Sequence, residues 1–309
     1  VTPKKAQVKK PMSISGKATD HYVTKDYEYI ESDNIIIFMN KGVKFDGNLL
    51  AKYEEYKKVV EKVTGLSDKH IKASYNQFVS VQNEIYGTNV FDGVDPDMKK
   101  IHIYINDNVH PHCDASRDYY SYIALDSISL DVNDINGLRT EFIHEYTHYL
   151  HLTNAPGFNP ITNEGYASYI EILGARELIS KDRMSDEEFF ENYTSNYVLP
   201  TGRITKDNAE STFVEGFPDG IEHSFSYNYG FVLMQYIHQT YGKDAFKKLF
   251  EEGQAMLDEQ RKTSIYCDLN GKNTAELYKK VYSKTFFSDF MNWLEKHPEY
   301  EADFEYTMD

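Results

Sequence analysis

The stretch His144-Glu145-Tyr146-Thr147-His148, together with Asn163-Glu164-Gly165-Tyr166-Ala167 after it, decides how this chain reads. Leu138, Phe142, Ile143, Tyr146, Tyr149, Leu150 and Leu152 recur around the first segment and predict a mostly buried helix over 137–152. Residues four apart in a helix share a face, one turn above the other, so His144 and His148 aim two imidazoles at one point. Glu145 points about 100° around the helix from His144 and can reach a water held at that point without binding a metal itself. Histidines inside an apolar helix need partners, and a metal ion supplies one.

Asn154, Pro156, Gly157, Asn159 and Pro160 predict a turn, after which a new helix starts near Thr162 or Asn163 and runs over 163–180. Glu164 falls in its first turn, where a carboxylate suits the helix dipole. A helix, a short turn and a second helix bring Glu164 back beside His144 and His148 as a third ligand, and Gly165 leaves room for two helices to approach. Zinc accepts imidazole nitrogens at about 2.0–2.1 Å, and a catalytic zinc uses three protein ligands with one position left open. Glu171 shares the face of Glu164. With Asn163 it is a candidate to orient a ligand side chain by hydrogen bonding; the alternative for Glu171 is a plain surface carboxylate.

At these residues the sequence resembles the gluzincin peptidases, zinc enzymes with a His-Glu-x-x-His helix and a glutamate third ligand. The run from Asn163 to Glu171 is similar to the Asn-Glu-Gly-Phe-Ala stretch of aminopeptidase N relatives. The run from His144 to Leu150 resembles the peptidase domain of bacterial collagenases, although both groups use a longer gap before the third ligand. Tyr227-Asn228-Tyr229-Gly230-Phe231-Val232-Leu233 is similar to the Tyr-x-x-Gly segment of the aminopeptidase group, and Tyr227 follows Glu164 by 63 residues. The resemblance implies that the Tyr227 hydroxyl donates to the oxyanion formed when a peptide carbonyl is attacked, which is chemically sound. His223 and Tyr229 are runners-up for that role, and the bland alternative is that Tyr227, Tyr229, Phe231 and Tyr236 are core aromatics. No Met is followed by Glu-Asn, so the amine-anchoring motif of the aminopeptidases is absent, and their N-terminal β domain has no counterpart. Both departures favour an endopeptidase with an open cleft.

The resemblance implies an α+β fold, a thermolysin-like zincin catalytic unit with the active site between two subdomains. Residues 1–27 read as a flexible basic leader. Residues 28–136 read as a mixed α/β subdomain, and 137–309 as a mainly helical one. In the first, Ile35-Ile36-Ile37-Phe38 is a short buried strand, 47–64 an amphipathic helix stopped by Gly65, and 101–105 an alternating, half-buried strand. An edge strand from 119–130 would pair with an extended peptide. Further helices are expected over 185–197, 227–241, 243–260 and 274–296.

The net charge of −16 disfavours a phosphate-backbone partner, so no nucleic acid is expected. No run of about 20 apolar residues predicts a membrane span. The chain begins at Val1, which reads as a leader removed and the protein secreted. Cys113 and Cys267 can pair as one long-range disulfide or stay as two buried thiols. Asp131, Asn133, Asp134 and Asn136, or Asp92, Asp95 and Asp97, are weak candidates for calcium, since neither run follows a full calcium-loop pattern. His110-Pro111-His112-Cys113-Asp114 reads as a loop. No phosphate-cradling Gly-x-x-x-x-Gly-Lys and no Gly-x-Ser-x-Gly occurs, which removes nucleotide and common serine hydrolase readings. The rival to an enzyme with a catalytic zinc is a retired peptidase-fold module that only binds peptide or a cell-surface polymer. Retention of Glu145 speaks against it.

Overall fold

The structure is a computed structural model and describes residues 27–40, 48–67, 100–105, 112–114, 122–125, 140–155, 157–215, 222–264 and 269–303. Among them lie nine α-helices and seven short strands, an α+β fold dominated by helix. The basic leader up to residue 26, His110 and Pro111, both candidate calcium runs and Cys267 lie outside the described residues. Among the described residues no helix is long and apolar enough to cross a membrane.

Strands β1 (Tyr27–Glu31), β2 (Ile35–Asn40), β3 (Ile101–Ile105), β4 (His112–Asp114) and β5 (Tyr122–Leu125) form one sheet in the order β1-β2-β3-β5-β4. β2, β3 and β5 run parallel, and β1 and β4 flank them antiparallel. Ile35, Ile37, Ile101, Ile103 and Ile105 are fully buried, and Phe38 stacks on Tyr104, its register partner, at 5.2 Å. Tyr104 is buried as well, so β3 is covered on both faces rather than half-exposed, as parallel interior strands are. Of the expected edge strand over 119–130, the described part, Tyr122–Leu125, is not an edge. β5 has β3 on one side and β4 on the other, because three residues read as loop, His112 to Asp114, pair with it. Cys113 sits half-buried in β4.

Helix α1 (Leu49–Thr64) buries Leu49, Leu50, Tyr53, Tyr56 and Val60 and ends where Gly65 turns to φ +66°. Helix α2 (Glu141–Asn154) packs on it. Phe142 stacks on Tyr53 at 4.4 Å, the Tyr146 hydroxyl donates to the Glu61 carboxylate at 3.0 Å, and the Lys57 ammonium lies 5.7 Å above the Tyr146 ring. These contacts draw α2 into the sheet unit, which continues to Thr153, further than the expected boundary at 136.

The second unit holds α3 (Pro160–Leu178), α4 (Asp186–Tyr193), α5 (Ala209–Glu215), α6 (Glu222–Tyr241), α7 (Ala245–Gln260), α8 (Gly271–Val281) and α9 (Phe286–Leu294). Two-residue strands β6 (Leu199–Pro200) and β7 (Glu301–Ala302) pair in parallel. α3 starts three residues before the expected 163. The Asn159 side chain accepts the Thr162 N–H at 3.1 Å, its amide donates to the Phe213 carbonyl at 2.8 Å, and Pro160 occupies the first helical position. Proline suits that position, where no N–H is needed and φ is already helical; the cap contributes about 1 kcal/mol. The helix expected over 274–296 is two, α8 and α9. Between them the Ser283 hydroxyl accepts the Thr285 N–H at 3.1 Å and donates to Asp289 at 2.8 Å.

α3 and α6 run side by side in the same direction: Gly165 meets Gly230, and further along Tyr169 meets Phe231 and His238. The approach is backbone on backbone. A Cβ on Gly230 would lie 2.2 Å from the Ile161 carbonyl oxygen and 2.4 Å from the Gly165 Cα. Only glycine at both positions permits it. Gly230→Ala therefore forces the helices apart, and we expect it to lower unfolding stability by about 1–3 kcal/mol, read as a lower urea midpoint. An unchanged midpoint would contradict the crossing.

Candidate metal centre

His144 and His148 lie on α2, one turn apart, each buried with 8 % of its surface exposed. Their rings meet edge to face at 4.8 Å, and their Nε2 atoms are 3.1 Å apart. The next segments of chain, a short connection and the start of α3, carry Glu164, the fifth residue of that helix. One ligand atom each of His144, His148 and Glu164 fall within 4.8 Å of one another. Two ligands on one tetrahedral ion with bonds of about 2.0–2.1 Å are separated by roughly 3.3 Å, close to the imidazole spacing here. The donor set also fits: two neutral imidazoles and a carboxylate suit a divalent transition ion, and three protein ligands leave room for a water or substrate. A divalent cation would also offset the cost of keeping the carboxylates of Glu145 and Glu164 away from bulk water.

Glu145 is buried beside the histidine pair. Asn163 is half-buried; its amide donates to the Phe158 carbonyl at 2.8 Å, so it fixes the connection that delivers Glu164. Glu171 is half-buried further along α3, and its charge acts on Tyr197, whose hydroxyl is pushed up to about 12 by burial first and by Glu171 second. Tyr227 is half-buried in α6, one turn before Gly230, the glycine that meets Gly165. His223 belongs to α6, but its side chain lies outside the described residues.

Tyr229 is not available as an oxyanion donor. It is fully buried, its hydroxyl donates to the Ala209 carbonyl at 3.0 Å, and its ring packs against Phe213, Phe225 and Phe290. It holds α5 to α6. A third histidine of α2, absent from the motif, joins the pair. His151, fully buried, places its Nε2 2.9 Å from the Nδ1 of His148. Its spacing from His148, three residues, was the signal.

Compared with models of known protein families and with curated proteins, the chain matches none.

The cluster predicts stoichiometric retention of a divalent transition ion through dialysis. Elemental mass spectrometry should find about one ion per chain in the wild type and far less in His144→Ala or Glu164→Ala. Retention undiminished in both variants would count against a shared site.

Proposed function

We propose that the chain is a zinc-dependent endopeptidase built on a thermolysin-like catalytic unit. The observation that carries the reading is the convergence of His144, His148 and Glu164 with Glu145 buried one residue from a ligand. Structural zinc sites close with a fourth cysteine or histidine, whereas a three-ligand set next to a carboxylate base is the arrangement hydrolysis needs. A zinc ion held there would supply Lewis acidity and bring the pKa of a water down to about 7.

The chain's own residues have separate tasks. His144, His148 and Glu164 hold and orient the ion. Glu145 takes a proton from the attacking water and delivers it to the nitrogen of the leaving amine. Tyr227 donates its hydroxyl proton in a hydrogen bond to the carbonyl oxygen as negative charge grows there. The apolar walls of α2 exclude bulk water from Glu145, which strengthens each of these electrostatic contacts. Phe142, Ile143, Tyr146, Tyr149 and Leu150, all buried, are what make α2 a core helix.

Incubation with a mixed peptide library, with and without chelator, tests the activity directly; cleavage should stop when zinc is removed and return when it is restored. Glu145→Gln should keep its zinc and lose about 100- to 10,000-fold in turnover. Cleavage by that variant at the wild-type rate overturns the mechanism. Tyr227→Phe should lower kcat about 100- to 1,000-fold with zinc content unchanged. A wild-type chain that binds zinc and peptide but cuts nothing is the retired module instead.

A further inference from the structure

Three histidines, not two, line one face of α2. His144, His148 and His151 are spaced four and three residues apart, within a stripe about 60° wide on a 3.6-residue helix. All three are buried, His151 completely. Their nitrogens form a continuous chain: Nε2 of His144 to Nε2 of His148 at 3.1 Å, then Nδ1 of His148 to Nε2 of His151 at 2.9 Å. The rings of His148 and His151 meet edge to face, with centroids 5.1 Å apart.

The two contacts differ in kind. His144 and His148 each offer one nitrogen to the cluster with Glu164, and the first contact brings their Nε2 atoms together, so in the loaded centre these two atoms would present lone pairs to the ion. A neutral imidazole carries one N–H. With its Nε2 engaged, His148 must hold its proton on Nδ1, and the only role left to the His151 Nε2 at 2.9 Å is acceptor. His151 must then carry its own proton on Nδ1. With an ion engaged by the His148 Nε2, the tautomers of both rings follow from valence and the 2.9 Å contact.

We propose that His151 is the positioning residue of the metal centre: it accepts the Nδ1–H of His148 and so fixes which nitrogen of His148 faces the ion. This rests on the metal-centre reading above. Outer partners of a ligating histidine are commonly a carboxylate, a carbonyl or water, and their loss lowers metal affinity about 10- to 100-fold. Here the partner is a neutral ring. It orients His148 without adding negative charge, so Glu145 and Glu164 remain the carboxylates that balance the ion.

The test compares wild type, His151→Phe, which keeps the ring volume but accepts nothing, and His151→Gln, which restores an acceptor. Zinc affinity is read by competition with a chelating dye, and apoprotein melting reports on folding. His151→Phe should bind zinc about 10- to 100-fold more weakly than wild type, with His151→Gln recovering most of the loss. Affinity in His151→Phe equal to wild type overturns the proposal. Nitrogen-15 NMR of the zinc-loaded wild type supplies a readout that needs no variant. It should show His148 protonated at Nδ1 and His151 unprotonated at Nε2; a His148 protonated at Nε2 overturns the proposal even if both variants fail to fold. Failure of the underlying reading looks different: His144→Ala and Glu164→Ala would then bind zinc as well as wild type.

Discussion

The contact of Gly165 with Gly230 is the constraint on which the helical unit turns. Helices normally pack through side chains at 8–10 Å. At this crossing no side chain intervenes, so sliding or rotating either helix drives a backbone atom into another. The contact therefore sets α3 against α6 in both position and register. Glu164 immediately precedes one glycine, and Tyr227 lies one turn before the other. A carboxylate and a phenol from segments 63 residues apart are thus referenced to a single point in the backbone. The surrounding aromatic contacts, Tyr169 on Phe231 and Tyr166 on Phe250, then act as packing around a fixed axis.

Burial and chemistry meet in α2. A helix whose residues from Phe142 to His151 are all buried is a poor place for three imidazoles and a carboxylate unless they satisfy one another. The stack of Tyr53, Phe142 and Tyr146 fixes one side of the helix. The histidine stripe occupies another. Rigidity on the first side limits the rotamers available on the second, which is what a preorganised ligand set requires.

The ligand set was legible in the sequence because it depends on two short-range regularities, the i,i+4 spacing of a helix and a turn marked by Asn, Gly and Pro. What lay beyond those regularities was read less well. Pro160 looked like part of a turn, yet proline is also favoured at a helix start, and only the Asn159 cap tells the two apart. Strand 101–105 alternates in sequence but is buried on both faces, because polarity patterns do not reveal which strands flank a segment. β4 and α5, of three and seven residues, are too short to carry a period. Tyr229 sits in the same short motif as Tyr227, and nothing local says which phenol is spent on a backbone carbonyl. His151 follows from the same helical arithmetic as His148, since three residues further on returns to the same stripe.

Thr162, in the first turn of α3, shares a hydrogen bond with Tyr278, 116 residues later, and Leu199 pairs with Glu301. On the ribosome, α3 is therefore made long before the residues that hold it. At synthesis rates of about 5–20 residues per second, the first turn of α3 waits about 6–23 s for Tyr278 to be made. The start of α3 thus reaches its full set of native contacts only late in translation.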